Sequence, residues 1–263
     1  MESNSKNKII ILFLLLVVIL QAVVIIRLFP KKPVKVPPVA VAKAGRIAIV
    51  LDDWGYNRAN IHYLNEIKQR MTISVLPHQS YSQIASFEAR KKGFEVILHL
   101  PMEPGSSERV RLEPNTILSG MTEDRIKAIL KDDLSNVYGV VGVSNHMGSK
   151  ATADPGLMTA VLKDIKARGL YFLDSYVSSR SVVSALSRRL GVKSAKRDVF
   201  LDNSSDAAYI RGQISRLKSI ARKRGYAIGI GHDRPATLAV LKAVMPELEK
   251  EGFKFVFVSE LVK

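Results

Sequence analysis

The sequence predicts an α/β fold built on a parallel sheet that curls into a barrel or lies open as a wound sheet, the barrel being preferred. Three observations predict it. Eight short runs rich in β-branched and aromatic residues recur along residues 46–263 at intervals of roughly 22 to 31 residues, with one longer interval of about 45, the repeat of a strand, a helix and two loops. The runs are apolar throughout rather than alternating, as strands covered on both faces must be. Between them lie amphipathic stretches that open on helix-starting residues and close on glycine. A body of this length supports one core.

The candidate strands are residues 46–51, 72–76, 94–98, 139–144, 170–173, 198–201, 226–230 and 254–258. Asn57, Thr122, Asp154 and Ser205 stand where helices should begin, because a short side-chain oxygen there accepts from a backbone N–H that has no partner within the helix. Gly93, Gly169, Gly191, Gly225 and Gly252 stand where helices should stop, glycine being the residue that enters the left-handed region without strain. The long interval holds a loop over residues 101–121, with Glu103, Arg109, Arg111 and Glu113, which reads as a lid or cleft wall.

Ahead of the body, residues 9–26 are apolar apart from Gln21 and are flanked by Lys6, Lys8, Arg27, Lys31 and Lys32. As a helix they would run about 27 Å, close to a hydrocarbon core. The expectation is therefore an uncleaved membrane anchor at residues 1–29, a Pro-rich linker at 30–45 and a catalytic domain at 46–263. The lysine and arginine distribution around the anchor favours a cytoplasmic body.

Composition narrows the chemistry. With no cysteine in the chain, cysteine nucleophiles, thiolate zinc sites and redox switching are excluded. The chain carries a net charge of +16, and its most basic stretch, residues 211–224, gathers cations toward a helix C-terminus, where they suit the dipole. No groove-reading motif accompanies it, so nucleic acid is not an expected partner.

In parallel folds chemistry gathers where strands end. Here those positions hold Asp52 and Asp53, then His78, His99, His146, Asp174, Asp202 and His232, so that four of the chain's 5 histidines follow a strand. Two imidazoles and a carboxylate leave coordination positions open for water and substrate, as in a catalytic site for zinc or another divalent metal. Asp52 and Asp53 are adjacent, so in an extended chain they point to opposite sides and only one ligates easily. The other is a candidate general base, and His232 a candidate acid oriented by Asp202 or Asp174. His62 and His78 fit no such role. Trp54 suits either a sugar-stacking surface or the core.

The run IAIVLDD at residues 47–53, followed by Trp54-Gly55-Tyr56, then His99-Leu100-Pro101-Met102-Glu103-Pro104, Ser144-Asn145-His146-Met147-Gly148-Ser149, Phe172-Leu173-Asp174-Ser175 and Gly231-His232-Asp233-Arg234-Pro235, resembles the divergent polysaccharide deacetylase (YibQ-like) family over residues 46–263. The resemblance implies a distorted (β/α)7-type barrel and metal-dependent removal of N- or O-acetyl groups from an exported polysaccharide. It implies Asp52 as base, Asp53 and His99 as metal ligands and His232 as acid, with Zn2+ the expected ion. Mainstream deacetylases carry a second histidine four residues after the first, where this chain has Glu103, so the third ligand is His146 or Glu103. Small neighbours at Gly148 and Ser149 favour His146. The Arg-Pro-Tyr-like motif of the mainstream enzymes is absent. An exported substrate places the body in the periplasm or outside the cell, against the charge distribution around the anchor. The alternative expectation is a catalytically inactive barrel that binds an envelope glycan or a protein.

Overall fold

The structure, a computed structural model, describes residues 2–28, 44–105 and 111–263. Residues 30–43 of the expected linker and Arg109 of the long loop lie outside them. The chain divides into two units, Met1–Ala40 and Val41–Lys263.

In the first unit helix α1 covers Glu2–Leu28. Among the described residues no helix is long and apolar enough to cross a membrane. This overturns the expected membrane anchor and, with it, the expected placement of an anchored body facing the periplasm or cell exterior.

In the second unit the strands are β1 (Arg46–Trp54), β2 (Thr72–Val75), β3 (Glu95–Met102), β4 (Val140–Met147), β5 (Tyr171–Asp174), β6 (Ser194–Lys196), β7 (Val199–Phe200), β8 (Tyr226–His232) and β9 (Lys254–Phe255). The helices are α2 (Tyr63–Glu66), α3 (Ser82–Lys91), α4 (Glu123–Asn136), α5 (Pro155–Ala167), α6 (Val183–Leu190), α7 (Ala207–Arg224) and α8 (Pro235–Lys250). The strands pair in parallel in the order β6-β5-β4-β3-β2-β1-β8-β7, with β9 added to the start of β1.

This is a parallel-sheet half-barrel rather than a closed barrel, and the connection between its two edges explains why. β6 and β7 are consecutive in sequence, separated by Arg197 and Asp198 alone. Side-by-side parallel pairing needs a crossover of a dozen or more residues, so these two strands cannot close the sheet against each other. Each link residue stays on its own side: the Arg197 N–H donates to the Asp174 carbonyl at 3.0 Å and the Asp198 N–H to the Ile228 carbonyl at 2.9 Å. β6 was not expected, because its Ser-Ala-Lys, a partly exposed edge, has no apolar run.

Most of the expected punctuation is realised. Thr122 and Asp154 cap α4 and α5 with their side-chain oxygens, and Gly191 and Gly225 end α6 and α7 in the left-handed region. Two starts move. Asp206 rather than Ser205 caps α7, accepting from the Tyr209 N–H at 2.7 Å. Asn57 closes a turn by accepting from the Ala59 N–H, and α2 begins only at Tyr63.

The strands bury two faces, and their two-residue period sets up the site. Ile47, Ile49 and Leu51 of β1 face the helix layer, whereas Ala48 and Val50 face the smaller inner core with Ile97, Leu173, Ile228 and Ile230. Continued by two residues, the inner face reaches Asp52 on β1, His99 on β3 and His232 on β8. Trp54 is fully buried in the helix-side core, so it packs the fold and offers no surface for a sugar.

Candidate metal centre and catalytic site

Asp52 arrives by strand geometry, but Asp53 does not. In a continuous extended strand Asp53 would face away from its neighbour. Instead its backbone turns into the left-handed region at φ +65°, where the β1–β2 register slips between Leu51 and Trp54, and both carboxylates open into one cavity. Met147 (φ +51°), the last residue of β4, and Tyr176 (φ +49°), two residues beyond β5, adopt the same strained conformation. Such non-glycine residues cost of order 1–3 kcal/mol each and cluster where function requires them.

The cavity holds about 230 Å³ and is lined by Asp52, Asp53, His99, Asn145, His146, Met147, Ser175, Val177, Phe200 and His232. Within it the Asp53 Oδ1 lies 3.1 Å from His146 Nδ1 and 3.3 Å from His99 Nε2. The two imidazoles meet edge to face with centroids 4.9 Å apart. Burial pulls the Asp53 carboxyl upward, but hydrogen bonds and charge from His146 and His99 outweigh it and hold the group well below the usual carboxylate range. Of the two expected alternatives, the structure brings His146 to Asp53. Glu103 is committed elsewhere, accepting from Lys150 Nζ at 2.7 Å and from the Ser119 N–H at 2.7 Å, which ties down the long loop.

A buried hydrogen-bond chain that sequence reading missed sits behind His99. His99 Nδ1 is 2.8 Å from Ser144 Oγ, and Ser144 Oγ is 2.8 Å from Ser74 Oγ. A hydroxyl on Nδ1 holds the imidazole with Nε2 turned toward the Asp53 oxygen, 3.3 Å away. The ligand atoms of Asp53, His99 and His146 lie within 4.8 Å of one another, and His146 Nε2 is a further buried nitrogen without a partner. The donor set therefore fits a divalent metal. The only sequence signal for the chain was two serines at inward positions of β2 and β4. Replacing Ser144 with Ala frees the His99 tautomer, and metal affinity is expected to fall about 10–100-fold. A chelator-competition titration checks this, and an unchanged affinity would remove the chain from the account.

Across the cavity His232 Nδ1 is 2.7 Å from Asp202 Oδ1, while Asp202 Oδ2 accepts from the His232 N–H at 2.8 Å and from Thr237 Oγ1 at 2.6 Å. This leaves His232 Nε2 as the uncommitted nitrogen. Of the two candidate orienters the structure selects Asp202. Asp174 instead caps its own loop, accepting from Ser181 Oγ and the Tyr176 N–H. Phe200 stacks on His232 with centroids 5.9 Å apart, and the Arg197 guanidinium covers the far face of the region, 3.6 Å from the Phe200 centroid.

Burial works against charge on both members of the His232–Asp202 pair, but their mutual hydrogen bond and attraction win. The Asp202 carboxyl is lowered and the His232 imidazole raised from their ordinary values of 3.8 and 6.5. A lowered carboxylate stabilises the fold above its unfolded value and loses that as pH falls through its folded value. A raised imidazole stabilises below its unfolded value and loses that as pH rises through its folded value. The pair is thus worth most between about pH 4 and 6.5. The expected result is that Asp202→Asn lowers the melting temperature most inside that window and progressively less above it. A difference that grows toward alkaline pH would contradict the pairing.

The parallel half-barrel, with its Asp-His-His group and aspartate-backed histidine at the carboxyl ends of the strands, is similar in fold to polysaccharide deacetylases. The chain belongs to the divergent polysaccharide deacetylase family, whose model matches residues 49–262. It is 38% identical over 205 residues to the uncharacterized protein YibQ of Escherichia coli, covering 78% of this chain and 64% of that protein. The chain thus spans just under two thirds of that relative's length. It is 34% identical over 206 residues to an uncharacterized protein of Haemophilus influenzae, covering 78% of this chain and 73% of the other. Among solved structures, an uncharacterized protein of Agrobacterium tumefaciens superposes with a TM-score of 0.80 at 26% identity, over 84% of this chain and 90% of that one. The catalytic domain of a peptidoglycan N-acetylglucosamine deacetylase from Eubacterium rectale shares the fold alone, with a TM-score of 0.50 at 16% identity over 81% and 88% of the two chains.

Proposed function

We propose that this chain is a metal-dependent hydrolase that removes acetyl groups from a polysaccharide. The observation that carries the reading is Asp52: a 2% exposed carboxylate whose Oδ1 has no hydrogen-bond partner, in a cavity shared with the Asp53-His99-His146 group and with His232. A buried acceptor costs free energy unless it is used, and a general base is one use.

Asp53, His99 and His146 hold the metal. When bound there, a divalent ion such as Zn2+ supplies Lewis-acid polarisation to the acetyl carbonyl. Asp52 takes a proton from the water that attacks that carbonyl. Burial holds its carboxyl above the ordinary value, although the charges on His99 and His232 oppose the shift. His232, held by Asp202, gives its Nε2 proton to the departing nitrogen or oxygen as the bond to the acetyl carbon breaks. Acetate leaves, and the glycan keeps a free amine or hydroxyl. The strained turns at Asp53 and Met147 keep the reacting groups on rigid strand ends.

The test is metal content by mass spectrometry on the purified chain, with His99→Ala and His146→Ala beside it, followed by acetate release from an N-acetylated and an O-acetylated glycan. Loss of one equivalent of metal in each variant, together with metal-dependent acetate release from the wild type, supports the reading. Bound metal with no release from either glycan would favour a protein that retains the fold for binding, with Glu103 in place of the mainstream second histidine as the departure behind it.

A further inference from the structure

A second constellation lies outside the cavity and takes no part in the chemistry above. His78 follows β2, Asp132 and Asp133 lie in the last turns of α4, and Asn115 belongs to the long loop after β3, so three separate segments converge. His78 Nε2 is 3.2 Å from Asp132 Oδ2 and 3.1 Å from Asp133 Oδ1. The Asn115 amide is 2.9 Å from Asp132 Oδ2 and 3.1 Å from Asp133 Oδ1. The backbone is bent to bring them there, since His78 (φ +56°) and Asn115 (φ +58°) both lie in the left-handed region.

Two features distinguish this group from an ordinary surface ion pair. Asp133 is fully buried, and its second oxygen, Oδ2, has no hydrogen-bond partner. Among the described residues two carboxylates share a single imidazole as their only ionisable partner, so the buried cluster is short of positive charge. Burial, reinforced by the charge of Asp132, pushes the Asp133 carboxyl up to about 6 even though Asn115 and His78 oppose it. The spacing also suits a metal. Ligand atoms around a four-coordinate ion bound at about 2.0–2.1 Å lie roughly 3.3–3.4 Å apart, within a few tenths of an ångström of the separations here.

We propose that His78, Asp132 and Asp133 form a second divalent-cation site, closed by the side-chain carbonyl of Asn115, which pins the loop after β3 to α4 and to the turn after β2. The imidazole and two carboxylates form a mixed nitrogen–oxygen set of the kind zinc or manganese accepts. Binding requires only that the Asn115 carboxamide turn over, exchanging an NH2 that now donates to the carboxylates for an oxygen that joins them. The site is structural: His78, Asp132 and Asp133 already supply three ligands, and the group does not line the Asp52–His232 cavity.

The experiment is metal stoichiometry by mass spectrometry on the full chain, stripped with chelator and dialysed against excess Zn2+, paired with melting curves. The proposal does not depend on the catalytic reading, and the variants separate the two. Two equivalents are expected in the wild type, one in His78→Ala, one in His146→Ala and none in the double variant. One equivalent that survives His146→Ala but disappears in His78→Ala would support this site and remove the first. One equivalent lost in His146→Ala and untouched by His78→Ala would overturn it. Asn115→Asp guards against simple misfolding, because aspartate tolerates the left-handed backbone. In a cation site a third carboxylate retains the second equivalent, and added Zn2+ raises the melting temperature. In a bare hydrogen-bond network the same change only adds repulsion and binds nothing, and that result would also overturn the proposal.

Discussion

Asp52→Asn lowers kcat for acetate release by about 10²–10⁴-fold, the usual contribution of a positioned general base. KM and metal content stay near those of the wild type. Asparagine has the shape of aspartate but no basic oxygen, and Asp53, His99 and His146 remain to hold the ion. The protein does not become less stable, because a buried carboxylate with an unpartnered oxygen is replaced by a neutral amide, and burying the charge carried the larger cost. Steady-state kinetics on an N-acetylated glycan, with metal stoichiometry on the same samples, checks this. A variant that turns over within a factor of about three of the wild type would remove Asp52 from the mechanism. Loss of metal together with turnover would make Asp52 a ligand rather than a base.

Trp54→Ala costs about 3–5 kcal/mol of stability and leaves KM for the glycan unchanged in the protein that remains folded. The side chain is fully buried between the sheet and its helices, next to the turn that redirects Asp53, so its removal opens a large cavity in the core. For a domain of this size the melting temperature falls by about 10 °C. Trp54→Phe is the informative control. It keeps most of the apolar volume and deletes Nε1, a buried donor with no partner, so it costs less than half as much. A sugar platform would behave the other way round, with a large rise in KM and little change in melting temperature.

His99 and His232 were legible in the sequence because each continues an apolar strand by a whole number of two-residue steps, which fixes the face and the end of the sheet together. Asp52 was legible for the same reason. Asp53 was reached as a ligand only through the family resemblance, since its entry into the cavity depends on a left-handed turn that a reading of the strand as extended does not contain. Ser74 and Ser144 are ordinary residues in a sequence, and only the pairing of β2, β3 and β4 makes them neighbours of a histidine. The apolar N-terminal run was read as membrane-spanning, and the structure describes no helix of sufficient apolar length.

By itself the sequence determined the parallel α/β class, most helix starts and stops, and the set of aspartates and histidines at strand ends. All of these follow from periodicity and from hydrogen-bonding needs that act within a few residues along the chain. Only the tertiary structure decided that the barrel stays open between β6 and β7, that His146 rather than Glu103 meets Asp53, and that Asp202 rather than Asp174 backs His232. Those choices depend on which strands lie side by side and on where a carboxylate finds its nearest donor across 30 to more than 90 residues of chain. Strand pairing and packing settle such contacts, and no local preference in the sequence records them.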